Sequence, residues 1–137
     1  MSFNLENFLP YKLSLTSNTV SEHLSKVYSE YSLTRTQWRV MAVLSMGGVT
    51  AGKIAKKTLM DKATISRAVK VMIVRGLLTR RASQEDGRAS PLKLTTKGRK
   101  IFENIAPKAI QAEKDIFQRL SKEQRITLEH LLDILLA

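Results

Sequence analysis

Apolar residues recur at helical spacing along most of this chain, and polar residues between them mark where helices start and stop. From about Asn7 to Tyr31, Leu9, Leu13, Val20, Leu24, Val27 and Tyr31 fall on one stripe, with Thr16 in the gap. Pro10 is tolerated there, because a first turn does not need its missing N–H. A second helix is predicted from Ser32 to Met46. Thr34 and Gln37 form a T-x-x-Q capping box, and Leu33 and Trp38 stand at the two positions of a hydrophobic staple. Gly47-Gly48 ends that helix. A short third helix runs from about Ala51 to Thr58 behind a Thr50 cap, and Leu59-Met60 follow as a turn. Asp61 is a good N-cap for a fourth helix, Lys62 to Arg75, and Gly76 sits where a C-terminal glycine belongs.

The period then changes. Leu77 to Ser83 and Pro91 to Thr95 read as two short strands joined by Gln84-Glu85-Asp86-Gly87-Arg88-Ala89, in which Asp-Gly is a hairpin signal. Pro91 confines its strand to an edge or to a strand start. From Thr96 the chain is helical again, on a stripe of Ile101, Ile105, Ala109, Ala112, Ile116 and Leu120. Pro107 is expected to kink or locally break this helix. Ser121 and Gln124 form another capping box, which starts a last helix rich in leucine. The order is four helices, a hairpin and two helices. The fold class is mainly α: a winged helix-turn-helix with a two-stranded wing, flanked by N- and C-terminal dimerisation helices. Residues 33–98 would form the winged part, and residues 1–32 and 99–137 one intertwined helical dimerisation region. The terminal LEHLLDILLA is too apolar for a free surface helix, and a partner chain is the easier way to bury it.

Charge changes this picture most. The 137 residues carry a net +11, a single domain's worth of chain. Between Thr50 and Lys100 there are 14 basic and 3 acidic residues, whereas the other 86 residues carry 9 of each. All of the excess therefore lies in one continuous third of the chain. A localised excess of this kind is the electrostatic footprint of a polyanion partner. An anionic membrane surface would call for a basic amphipathic helix with an exposed apolar face or a lipid anchor, and this third contains strand and turn features instead.

Within the basic third, the helices Ala51–Thr58 and Lys62–Arg75 with their tight turn form a helix-turn-helix candidate. At 100° per residue, Ile65, Val69, Met72 and Ile73 make the inward stripe of the second helix, with Ala68 beside it. Ala63, Arg67 and Lys70 point the other way, with Thr64, Ser66 and Val71 on the flanks and Lys62 at the start. Small and polar side chains let a helix approach the major groove, and an arginine can bond guanine O6 and N7 together. The hairpin that follows carries Arg80, Arg81, Arg88 and Lys93. Such a wing can place one arginine, here Arg88, in a narrow minor groove. Asp86 either pairs with a neighbouring arginine and shapes the wing or simply forms the turn. Thr95 or Thr96 can cap the next helix, and Gly98 would allow close backbone packing against the wing.

The run DKATISRAVKVMIVRGLLTRR followed by EDGRASPLKLTTKG resembles the core of MarR-type regulators, and LTRTQWRVMAVL resembles that family's second helix. The matching features are Gly76-Leu77 leading into the wing, Asp86-Gly87-Arg88 at its tip and Leu94-Thr95-Thr96-Lys97-Gly98 opening the next helix. Gly87 stands where the family often has arginine, which implies a wing tip with one fewer charge. The resemblance implies a homodimer joined by its terminal helices, a repressor of transcription on a pseudo-palindromic duplex operator. It assigns groove contacts to Lys62–Lys70 and the wing contact to Arg88. It also implies an effector pocket, frequent but not universal in the family, between the dimerisation and DNA-binding parts. Tyr28, Tyr31 and Trp38 are the candidates to border it.

Other chemistry is poorly represented. The chain has no cysteine, so thiolate metal sites and thiol redox sensing within it are excluded. His23 and His130 each stand alone on a helix without metal-ligand spacing. No nucleophile elbow, phosphate loop or paired-carboxylate motif occurs, so neither an enzyme nor a cofactor is expected. MSFNLENFLPYK lacks the charged start and apolar run of a secretory signal, and no run of about 18 apolar residues occurs. A cytoplasmic protein with no membrane partner is expected. The alternative reading is a winged-helix protein that binds RNA or acts as a non-specific architectural subunit. Against RNA stands the lack of any Phe, Tyr or Trp between residues 50 and 100 for base stacking.

Overall fold

Five of the six α-helices start where a side chain accepts from a free N–H of the first turn. The computed structural model describes residues 2–81 and 90–137. Helix α1 spans Leu9–Tyr28, with Pro10 in its first turn. It tightens into a 3-10 turn, Ser29–Tyr31, and Ser32 follows in the left-handed region at φ 56°. Helix α2 spans Arg35–Leu44 behind the expected capping box, in which Gln37 N–H donates to Thr34 Oγ1 and Thr34 N–H to Gln37 Oε1, both at 3.1 Å. This pairing also satisfies the amide of Gln37, which is buried. Helix α2 ends before Met46, because Met46 and Gly47 N–H bond back three residues to Val43 and Leu44.

Helix α3 spans Ala51–Thr58 and α4 spans Lys62–Val74, capped by Thr50 and Asp61 as expected. Gly76 follows α4 at φ +76°, and Leu77 N–H reaches back to the Met72 carbonyl at 2.9 Å. Strands β1, Leu78–Arg80, and β2, Leu92–Leu94, pair antiparallel, with Leu78 opposite Leu94 and Thr79 opposite Lys93. Pro91 directly precedes β2, and its carbonyl accepts from Arg81 N–H at 2.9 Å. Val49 adds an isolated antiparallel bridge to Leu92 from the other side. Helix α5 spans Thr96–Phe117 and α6 spans Lys122–Leu136, the latter behind the Ser121–Gln124 capping box.

The expected break at Pro107 does not occur: α5 runs through it. The proline removes one backbone bond, the one the Glu103 carbonyl would accept. Ile105 and Ala112, on either side of it, are both buried.

The chain divides into two compact units, Ser25–Pro107 and the terminal pair Met1–Leu24 with Lys108–Ala137. In the first, Met41, Leu44, Ile54, Ile65, Met72, Leu77, Leu92 and Ile105 are fully enclosed. Each such side chain contributes roughly 1.5–3 kcal/mol by leaving water. In the terminal unit, Ala112 alone among the described residues is buried. Arg125 there pairs with Glu113 at 3.0 Å and lies 5.9 Å over the Phe117 ring.

Candidate nucleic-acid interface

Helices α3 and α4 meet through Leu59, Met60 and Asp61. The corner is tight because Leu59 adopts the left-handed conformation at φ 53° and Met60 N–H returns to the Ala55 carbonyl at 3.2 Å. Ile54 and Ala55 of α3 and Ile65, Ala68, Val69 and Met72 of α4 bury the facing sides of the pair. Lys62, Ala63, Ser66, Arg67 and Lys70 stand on the exposed side of α4, with Thr64 half-buried at its edge. The sequence-predicted groove residues are thus brought together on one helix face.

The inward stripe differs from expectation at one position. Ile73 is 36% exposed, whereas Ala68 is 8% exposed. The arc that faces the core is centred on Ile65 and Met72. Ile73 lies about 80° to one side of Ile65, and Ala68 about 60° to the other, by helical rotation. A small residue on the near shoulder lets α4 sit close to its neighbours.

A polar chain runs along the start of α4. Thr64 N–H donates to Asp61 Oδ1 at 2.7 Å, the Thr64 hydroxyl to Asp61 Oδ2 at 2.9 Å, and Arg67 Nη2 to Thr64 Oγ1 at 3.4 Å. The Thr64 backbone N–H, then its hydroxyl, then the charge of Arg67 hold the exposed Asp61 carboxyl below its ordinary range.

The hairpin distributes its cations rather than gathering them. Lys93 shares a face with Thr79, whereas Arg80 lies opposite Leu92 on the other face of the pleat. Both are exposed. Lys93 lines a shallow groove of about 520 Å³ with Arg99 and Lys100 at the start of α5. Arg88 and Asp86 lie outside the described residues.

Helix α5 is seated on the hairpin through Thr95 and Gly98. Thr95 Oγ1 accepts from Gly98 N–H at 3.0 Å and donates to the Gly76 carbonyl at 2.6 Å. A Cβ on Gly98 would overlap the Leu77 carbonyl oxygen, so the close approach expected there is present.

Two groups of residues were missed at the level of sequence. Lys53, Lys56 and Lys57 are exposed on α3, and the first two line a groove of about 720 Å³ with Thr50, Leu59 and Lys62. Their i, i+3, i+4 spacing was the available signal. Arg75 bridges the end of α4 to the turn after α1, donating to the Ser32 carbonyl at 2.8 Å and the Tyr31 carbonyl at 3.1 Å. No local pattern announces that bond.

Tyr28 and Trp38 stack at 5.9 Å with their planes 7° apart, and Trp38 stacks in turn on Phe102 at 5.8 Å. Tyr28 is buried in this stack, and Tyr31 is half-buried beside it in sequence. Among the described residues, no cluster of His, Asp or Glu could hold a metal ion, and no helix is long and apolar enough to cross a membrane.

A helix-turn-helix followed by a two-stranded hairpin, with the second helix presenting small, polar and cationic residues outward, defines a winged helix-turn-helix. Residues 31–89 match the MarR family model. The HTH-type transcriptional regulator PecS of Dickeya dadantii is 24% identical over 124 residues, covering 88% of this chain and 75% of PecS. A MarR/EmrR family transcriptional regulator from Acinetobacter sp. ADP1 superposes with a TM-score of 0.87 at 25% identity, over 97% of this chain and 95% of that one. A mutant MarR from E. coli, complexed with operator DNA, shares the fold at TM-score 0.85 and 21% identity, over 94% of each chain. By fold and by the match over residues 31–89, the chain is similar to MarR-type winged helix-turn-helix proteins.

Proposed function

We propose that this protein is a sequence-specific regulator of transcription, a repressor that binds duplex DNA as a homodimer on a pseudo-palindromic operator in the cytoplasm. One observation carries the reading: the charge excess coincides with the winged unit. Residues 25–107 hold 17 basic and 5 acidic residues. In that reading Lys62, Ala63, Thr64, Ser66, Arg67 and Lys70 face the major groove, with Arg67 able to read a guanine. Arg80, Lys93 and the lysines of α3 contact phosphates, Arg88 enters the minor groove, and Asp86 shapes the wing. Residues 33–98 are the reader, and residues 1–32 and 99–137 pair two copies. The name of PecS as a transcriptional regulator and the operator complex of E. coli MarR support it. A small-molecule effector acting at Tyr28, Tyr31 and Trp38 would have to part stacked rings.

Selection of bound sequences from random duplexes tests this reading. The expected product is a two-fold site with half-sites about one helical turn apart, roughly 34–36 Å, bound with affinity that falls steeply with salt. Arg67→Ala should relax a specific base pair by about 1–3 kcal/mol, whereas Lys93→Ala should weaken all sequences evenly. Absence of any selected motif, or preference for structured RNA in competition, would overturn it.

A further inference from the structure

We propose that Asp61 and Thr64 form a positioning relay for Arg67, so that discrimination at the base pair Arg67 reads depends on the Thr64 hydroxyl. This rests on the reading of α4 as the recognition helix. Capping alone explains only one of the two bonds between these residues. The bond from Thr64 N–H to Asp61 Oδ1 satisfies a free donor of the first turn. The second, from the Thr64 hydroxyl to Asp61 Oδ2, does nothing for the backbone. Its consequence is directional. A hydroxyl has one proton, and an ionised carboxylate only accepts. The proton of Thr64 is therefore committed to Asp61, and an Oγ1 lone pair is left facing Arg67 Nη2.

Arg67 thus enters an encounter with one of its five N–H groups engaged by Thr64, and among the described residues no other hydrogen-bond partner takes the rest. The side chain is long and exposed on the helix face. Holding it in one arrangement removes part of the rotamer freedom that bidentate contact with guanine would otherwise cost. The Asp61 charge also works against loose binding. It lies at the α4 N-terminus, where phosphates would otherwise be attracted to free N–H groups, and it occupies the Thr64 N–H itself. The relay should therefore favour the correct base pair over backbone contact to any sequence.

The test compares wild type with Thr64→Val, Thr64→Ser and Arg67→Ala, on the selected operator, on single-base variants of it and on random duplex. Valine keeps the methyl group and shape of threonine and loses only the hydroxyl, and serine restores the hydroxyl. Thr64→Val should lose about three- to tenfold of the discrimination at the same base pair that Arg67→Ala relaxes. Its salt slope should stay at the wild-type value, because no charge is removed, its operator affinity should fall by more than its affinity for random duplex, and Thr64→Ser should recover the discrimination. A thermal melt checks that each variant is folded, and Asp61→Asn, which keeps a capping oxygen, should lose discrimination at the same base pair while binding random duplex more tightly, because its charge is gone. If Arg67→Ala relaxes one base pair and Thr64→Val relaxes none, the relay is wrong and the recognition helix stands. A Thr64→Val variant that weakens all duplexes equally reduces the pair to a helix cap, which also overturns the proposal. If Arg67→Ala relaxes no base pair, the recognition reading itself fails and the relay falls with it.

Discussion

The two units of this chain use apolar side chains in opposite ways. Residues 25–107 enclose their large apolar residues almost completely around Met41, Ile54, Ile65, Met72 and Leu92. The terminal unit leaves Leu9, Leu13, Ile126, Leu131, Leu132, Ile134, Leu135 and Leu136 exposed, and α6 buries no residue at all. Charge divides along the same line. The terminal unit holds 6 basic and 7 acidic residues, against 17 and 5 in the middle. A unit that seals its own core and carries a polyanion's countercharge is finished by its own chain. A near-neutral unit with a broad exposed apolar surface is finished by another protein surface. The contrast supports the proposed division of work, in which the ends pair two copies and the middle reads DNA.

That contrast can be broken first at the ends. Leu132→Glu combined with Leu135→Glu places two charges on the exposed face of α6. The expected mass in solution falls to that of a single 15.5 kDa chain, read by light scattering. Operator affinity should fall by about a hundredfold to ten-thousandfold, since two linked readers become one. Retention of the wild-type mass would remove α6 from the pairing surface.

The middle unit should break at Gly98 instead. Gly98→Ala forces a Cβ into the Leu77 carbonyl where α5 meets the hairpin. A loss of about 3 kcal/mol is expected in denaturant melts at one fixed protein concentration. The smallest effect has the opposite sign. Leu59 holds a left-handed backbone at φ +53° with its side chain 89% exposed, so it bears strain without packing in return. Leu59→Gly should raise stability by roughly 0.5–1 kcal/mol. An unchanged melt would mean that the corner between α3 and α4 is not strained.

Features that depend on a few neighbouring residues were legible from the start. The Thr34–Gln37 and Ser121–Gln124 boxes and the Thr50 and Asp61 caps all depend on side chains within a turn of the groups they satisfy. The outward set on α4 was equally readable, because helical rotation alone separates Arg67 and Lys70 from Ile65 and Met72. The errors came where rotation or local chemistry was asked to predict packing. Ile73 and Ala68 lie on opposite shoulders of one stripe, and only the shape of the neighbouring core decides which is covered. Of the kink or break expected at Pro107, the break does not occur, since α5 is continuous through it.

The sequence by itself determined the order of the elements, their starts and the one-third of the chain that carries the charge, because these follow from short-range geometry and composition. It also marked the outward face of α4 that the proposed function sets against DNA. Tertiary structure alone decided the contacts between residues far apart in the chain. Trp38 meets Phe102, Arg75 meets the Tyr31 and Ser32 carbonyls, and Val49 bridges to Leu92. Such pairs form only after the core has closed around Met41, Ile65 and Leu92, since burial of those side chains, not any local preference, brings the partners within reach. The Asp61–Thr64–Arg67 chain lies between the two cases. Its spacing was visible as a helix cap, but the direction of its hydroxyl bond came from the folded geometry.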